Sequence, residues 1–249
     1  MLPILGRYGP FFLYSYTVVL SLGILAGLGL TAWQVRSRPG TDHTGWLDAA
    51  LASLAAAILG GRIAFVLVHA AYYQAHPAEA WQFWQGGLSV DGAIPAGMAG
   101  LWLWSQFRRR PFVHDADWLA PAGALLACFG WLACWLAACA YGRESSLGLF
   151  TADLPDAFGV WAVRYQTQLL GFVYSLLAFG LVWWQRGRLR PGQLFWLTVG
   201  LISTGRALVS LWRADPVPQW GALRLDTLLA AGLAITALAG FITQRRATP

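Results

Sequence analysis

Four ionisable residues lie inside stretches that are otherwise apolar: Arg62, Asp91, Arg206 and Asp226. A charge within a membrane-spanning segment is costly, so such a residue is a functional candidate by default. Two chemistries fit this set. The charges can pair with one another, Arg62 or Arg206 with Asp91 or Asp226, and so hold helices together. Alternatively, several arginines beside Gly-rich segments make a polar cavity for a phosphate, because a guanidinium offers a planar fork of donors and stays charged when partly desolvated. Arg62 follows Gly60–Gly61, where missing side chains let another backbone approach. Asp91 sits in GGLSVDGA, a Gly-rich piece of irregular character. At membrane depth such backbone is tolerated where it is buried in protein or lines a cavity. Arg206 and Arg213 are seven positions apart and are expected on one helix face. Arg143 closes the charge-free stretch 118–142 with a tight Tyr-Gly-Arg, and an Arg at that boundary suits an anionic headgroup.

The elements that carry these residues are long and apolar. Of 249 residues, 57% are hydrophobic and only 11% are charged, whereas a soluble domain is about one-quarter charged. The class is therefore an integral membrane protein. Seven segments stand out, at 11–32, 49–73, 87–107, 118–142, 165–185, 192–212 and 225–243. Each is long enough to span, and helix is the form that pairs its backbone internally. The expected fold is an all-α polytopic transmembrane bundle of about seven spans, as one domain over 1–249.

Orientation follows from the basic residues, all 17 of which are Arg. Ten follow the odd-numbered segments (Arg36, Arg38, Arg108, Arg109, Arg110, Arg186, Arg188, Arg190, Arg245, Arg246) and five lie on the other side (Arg7, Arg143, Arg164, Arg213, Arg224). That asymmetry puts the C-terminus in the cytoplasm and the N-terminus outside. It also argues against nucleic-acid binding despite a net charge of +6, because the arginines are spread between apolar runs. Most of the 15 Trp residues, among them Trp33, Trp84, Trp183 and Trp220, fall near segment ends, as in a headgroup belt. Trp131 and Trp135 fall in mid-segment, facing lipid, a neighbouring helix or a cofactor. Cys128, Cys134 and Cys139 share one apolar segment with no CxxC or Cys/His cluster. No metal site is expected, and the cysteines read as small hydrophobes. No cleavable signal peptide is expected either. The long connection 144–164 is expected outside, where such loops cover a site or meet a partner.

Six pieces in order carry a resemblance over nearly the whole chain: LYSYTVVLSLGILAG, GGRIAFVLVH, FWQGGLSVDGA, ADWLAP with the stretch 130–143, YQTQLLG and GRALVSLWRADP. Together they resemble the motifs of the bacterial prolipoprotein diacylglyceryl transferase family. Enzymes of that family move a diacylglyceryl group from phosphatidylglycerol to the lipobox cysteine thiol of a prolipoprotein, and glycerol phosphate leaves. The resemblance implies Tyr16, Asp91 and Arg206 as catalytic candidates. It implies Arg62, Arg143, Arg206, Arg213, Gly86, Gly87, Gly92, Gly142 and Gln168 as lipid- or phosphate-binding candidates. Ser89 and Asp117 also match.

The chain departs from the family where chemistry is closest. The family's His is Asp91, the signature Arg is Trp131, the Asn after it is Cys134, and the acidic residue that follows is Cys139. The Glu after Arg206 is Ser210, and a Tyr-Glu pair is Leu170–Gly171. These losses remove a base, a phosphate-binding Arg and an amide together. The expectation is a catalytically impaired member that serves as a phospholipid-binding or scaffold subunit of a membrane complex. The alternative is an active transferase with Asp91 as base. Implied partners are phosphatidylglycerol, the membrane, and a prolipoprotein or other membrane subunits; no cofactor is implied. The implied location is the bacterial cytoplasmic membrane, as a multi-pass protein. A transporter or channel lacks support, since paired discontinuous half-helices are not evident.

Overall fold

Runs rich in Ala, Leu and Gly in lipid must satisfy their backbone within themselves, and here they do so as helices. The structure, a computed structural model, describes residues 2–9, 11–37, 45–83, 86–146 and 148–246. Arg38 and Trp84 therefore lie outside the described residues. The long helices are α1 (Ser15–Arg36), α2 (Trp46–Val68), α4 (Val90–Phe107), α5 (Phe112–Leu136), α6 (Thr167–Gln185), α7 (Gln193–Ser210) and α8 (Leu225–Arg246). A short α3 (Ala70–Ala75) and a 3-10 turn at Pro77–Trp81 join α2 to α4. Helices α1, α2, α5, α6 and α8 are long and apolar enough to cross a membrane, so the chain is an all-α polytopic membrane protein. The other two long helices, α4 and α7, have 18 residues each. They carry Asp91 and Arg206.

Three two-stranded antiparallel hairpins complete the described fold: β1 (Ile4–Tyr8) with β2 (Phe11–Tyr14), β3 (Thr151–Pro155) with β4 (Trp161–Tyr165), and β5 (Gln219–Trp220) with β6 (Leu223–Arg224). They precede α1, join α5 to α6 and join α7 to α8, so connectivity gathers them at one end of the bundle. We call this the hairpin end. The first helix consequently starts at Ser15 rather than at 11, because 11–14 pairs as a strand with 4–8. Ser15 is fixed there by a backbone bond of 3.0 Å to the Pro3 carbonyl.

The expected span 118–142 is also corrected. Helix α5 stops at Leu136, and the chain turns back through Ala138 and Ala140, both at positive φ (57° and 54°). That turn brings the Cα atoms of Cys134 and Cys139 to 4.7 Å, and the two are disulfide-bonded. They are not the small hydrophobes expected; Cys128, buried and free, is.

The apolar core lies toward the end opposite the hairpins. There Ala49, Leu101, Ala116, Ala120, Val182, Leu194 and Phe195 meet from five helices. Helices α2 and α4 pack through small residues. A Cβ on Gly60 would run into Ala96, one on Gly92 into the Gly60 carbonyl, and one on Gly100 into Ala56. Close backbone approach of this kind is how helices associate where water supplies no driving force. At the same end Trp33 stacks on Trp183 at 5.7 Å, and Arg186 lies 3.3 Å above the Trp183 ring.

Candidate functional site

At the hairpin end the start of α4 is held by a buried cation. Arg62, late in α2, is 7% exposed and spends its donors on backbone. Its Nε donates to Ala80 O (2.7 Å), Nη1 to Gly86 O (2.8 Å) and Gly87 O (3.1 Å), and Nη2 to Glu79 O (2.6 Å). The aromatic faces of Tyr73 and Phe65 lie 5.3 and 5.8 Å from its guanidinium carbon. Gly86 and Gly87 turn at positive φ (97° and 76°). At Gly87 a side chain would also strike Phe65 and Arg62. Ser89 N donates to Gly61 O at 2.9 Å, and α4 starts at the next residue. Arg62, Gly86, Gly87 and Gly92 thus fix how α4 begins, and with it where Asp91 stands.

Asp91 meets Arg206 of α7 across the bundle. The Arg206 Nη2 donates to Asp91 Oδ1 at 2.8 Å, with both side chains 15% exposed. Tyr16, half-buried at the start of α1, lies within electrostatic reach of Arg206. Arg213 does not share the Arg206 helix face as expected, because α7 ends at Ser210. It lies beyond the helix, where its Nη2 reaches Asp215 and its Nη1 lies 3.1 Å from Asp226. Arg224 contacts the same two carboxylates. Burial works against the Arg213 charge, but Asp215 and Asp226 outweigh it and hold the group above the usual guanidinium range. Burial, with Asp156 and Asp215 nearby, pushes the Tyr141 phenol up.

Arg213, Asp215 and Arg224 border a cavity of about 750 Å³, whose lining does not include Asp91, Arg206 or Tyr16. Its wall includes His69, Arg143, Ser210, Arg213, Arg224 and Thr227. Arg143 is exposed, and its guanidinium has no partner among the described residues, whereas Arg213 and Arg224 are matched by carboxylates. Its backbone is fixed all the same: Arg143 N donates to Trp212 O at 2.8 Å and Tyr165 N to Arg143 O at 3.1 Å. Gly142 pairs with Arg213, and a Cβ there would collide with the Tyr165 carbonyl. Gln168, 1% exposed, donates from Nε2 to Cys139 O at 2.9 Å, and Thr167 Oγ1 to Ala140 O at 2.6 Å. Both side chains clamp the turn after α5.

The substituted positions also find places. Trp131, 9% exposed, packs with Ala140, Val209, Cys134 and Phe172. Its ring lies directly over Gly171, where a Cβ would overlap it. Of the three settings open to a mid-segment Trp, the neighbouring helix is therefore the one Trp131 takes, while Trp135 is 47% exposed. Asp117 caps α7 from α5, accepting from Gly192 N (2.6 Å) and Phe195 N (2.8 Å) at the far end of the bundle. The structure thus brings Asp91, Arg206 and Tyr16 together and sets Arg143 and Arg213 on one cavity. It assigns Arg62 and Gln168 to backbone carbonyls. Sequence reasoning missed His69, Asp215 and Arg224 as wall residues. The Arg-x-Asp spacing at 213–215 and 224–226 was the available signal for two of them.

The architecture defines a multi-pass helical membrane protein with a cationic recess at one end. A family model described as prolipoprotein diacylglyceryl transferase matches residues 3–243, and the chain belongs to that family. It is 29% identical to the phosphatidylglycerol–prolipoprotein diacylglyceryl transferase of Corynebacterium efficiens, over 94% of this chain and 78% of that protein. The protein of the same name from Clostridium tetani is 28% identical, with 87% of each chain covered. That from Geobacillus kaustophilus is 29% identical over 95% of this chain and 90% of its own length. With its family and its spanning helices, the chain is a protein of the bacterial cytoplasmic membrane.

Proposed function

We propose that this chain is an active phosphatidylglycerol–prolipoprotein diacylglyceryl transferase, folded as one domain with its hairpin end outside. The observation that carries the reading is the cavity with Arg143 in its wall, unpaired among the described residues. A phosphodiester headgroup needs a cation that is not already neutralised, and the departing phosphate gains charge as it leaves. In this reading the thiolate sulfur attacks the glyceryl carbon that carries the phosphodiester oxygen. The C–S bond forms, the C–O bond breaks, and the electron pair goes to the leaving glycerol phosphate. Arg143 meets that charge. Arg206, held by Asp91 and close to Tyr16, sets the field beside it, and Arg213 with its carboxylates holds the wall. Arg62, Gly86, Gly87, Gly92, Gly142 and Gln168 shape the backbone around the site. The curated relatives, which carry the transferase name, support this reading over an impaired scaffold subunit.

A second reading, a non-catalytic phospholipid-binding subunit, draws on one contact. Trp131 fills the space over Gly171 with an apolar ring where the family's pattern holds charge. The test gives purified protein labelled phosphatidylglycerol and a lipobox peptide. Thioether product that disappears in Arg206→Ala is the expected result. No product, with phosphatidylglycerol still co-purifying, would favour the second reading.

A further inference from the structure

Proton removal from the incoming thiol calls for a group on the cavity wall itself. Asp91 stands where the family carries its His, its Oδ1 taken by Arg206 at 2.8 Å, and Asp91 is not part of the cavity wall. His69 is. We infer that His69 is the proton acceptor for the substrate thiol in this chain, an assignment that rests on the transferase reading.

Three observations carry it. First, His69 ends α2 and its exposed ring shares the cavity with Arg143, Ser210 and Arg213. Second, its Nδ1 lies 2.9 Å from the Phe65 carbonyl oxygen. A carbonyl only accepts, so Nδ1 carries a proton, and in the neutral ring the lone pair is at Nε2. Among the described residues nothing bonds to Nε2. Third, the ring is held in place. It packs on Phe65 with centroids 4.2 Å apart. Phe65 in turn backs Arg62 and Gly87. The same cation that positions α4 therefore supports this imidazole. The charged groups across the cavity are Arg143 from the turn after α5, Arg213 and Asp215 after α7, and Arg224 from β6. On its own side α3 adds Tyr72 and Tyr73, whose amides donate to the His69 carbonyl.

The step balances. The thiol gives its proton to Nε2, and the sulfur takes the glyceryl carbon. The carbon–oxygen pair leaves on glycerol phosphate beside Arg143, and the imidazolium returns its proton to water.

A thiol of pKa about 8.5 is only ~3% ionised at pH 7, which limits what a base can add. Full-length protein in phosphatidylglycerol vesicles, given a lipobox peptide, is assayed for thioether at pH 7 and pH 9. His69→Gln is expected to slow transfer by about 30-fold at pH 7, with the KM for phosphatidylglycerol little changed. The deficit is expected to shrink to within about threefold at pH 9, where the thiol ionises without help. An unchanged rate at pH 7 would overturn the assignment. So would a loss that persists at pH 9, which is the mark of a structural role. A larger pH-rescued loss in Asp91→Asn than in His69→Gln would return the base to Asp91. If wild-type protein forms no thioether at either pH, the transferase reading fails and the His69 role fails with it.

Discussion

The two ends of this bundle are built on different chemistry. Away from the hairpins, Ala49, Leu101, Ala116, Ala120 and Val182 pack side chain to side chain, with Ser105, Asp115, Gln193 and Thr198 buried at the same end. At the hairpin end the packing is done by charges and carbonyls: Arg62 holds four backbone oxygens, Asp91 holds Arg206, and Asp215 and Asp226 hold Arg213 and Arg224. The difference teaches why the chain tolerates costly ions within a membrane. In the apolar core small residues bring the helices close, whereas at the hairpin end Arg62, Arg206, Arg213 and Arg224 are each positioned by carbonyls or carboxylates. Arg143 is the one cavity-wall arginine left without a carboxylate among the described residues.

The sharpest way to break the comparison is Arg62→Met. It keeps volume but strips the Ala80, Glu79, Gly86 and Gly87 carbonyls of their donor. Orphaned buried acceptors are expensive, and the expected loss is on the order of 3–5 kcal/mol, read as a collapse of thermal stability in detergent. Next comes the cross-bundle pair. Asp91→Asn and Arg206→Gln each leave one partly buried charge alone, for about 2–4 kcal/mol apiece. The double variant is expected to lose less than the sum, and a strictly additive cycle would show that the pair is not coupled.

At the apolar end, Leu101→Ala opens a cavity at a residue 2% exposed. It should cost about 2–3 kcal/mol of stability while leaving the transfer rate intact. A change in rate there would mean that the two ends are not separable. Toward the hairpin end, beside Ala140 and Val209, lies the Trp131–Gly171 contact. Gly171→Ala overpacks it, for about 1–3 kcal/mol. Trp131→Phe in the same chain should restore much of that loss in melting measurements, because a smaller ring clears the added methyl.

How much of this was legible in the sequence follows from which signals are local. The helical membrane fold was legible because hydropathy and the pairing of backbone in lipid act segment by segment. That some backbone would approach Gly60–Gly61 was legible too, since two adjacent glycines leave a gap, but not that α4 would be the one to fill it. The break of α5 at Leu136 was not, because 137–142 is as apolar as the helix before it. The turn is held from outside by Thr167 and Gln168 and closed within by the Cys134–Cys139 bond. The fates of the arginines were not legible either. Arg62 and Arg206 are both single cations in apolar runs, yet one finds carbonyls and the other a carboxylate. Partner choice depends on a Gly-rich loop arriving from the far side of α3. Trp131 read as a lost charge, and its match to Gly171 appears only when α5 and α6 are side by side.

The smallest effect tests whether the hairpins share in the polar logic of their end. Asp156, at the turn of β3–β4, accepts from Phe158 N (2.8 Å) and Val160 N (3.0 Å) through Oδ1, and Arg164 Nη2 lies 3.4 Å from its Oδ2. The Val160 amide first, then the Phe158 amide and Arg164, hold its carboxyl below the usual value of 3.8. A depressed folded-state pKa means that the unfolded turn binds protons more readily, so the contribution is complete above about pH 3.8 and is lost as pH falls through the lower folded value. Fluorescence of the exposed Trp161 is expected to stay flat from neutral pH down to that point and to change below it. Asp156→Asn keeps an oxygen facing the two amides but cannot titrate, so its acid step should vanish. A step that persists in the variant, or one that begins well above pH 3.8, would place the acid-sensitive group elsewhere. The hairpin would then be held by its strand pairing rather than by the carboxylate at its turn.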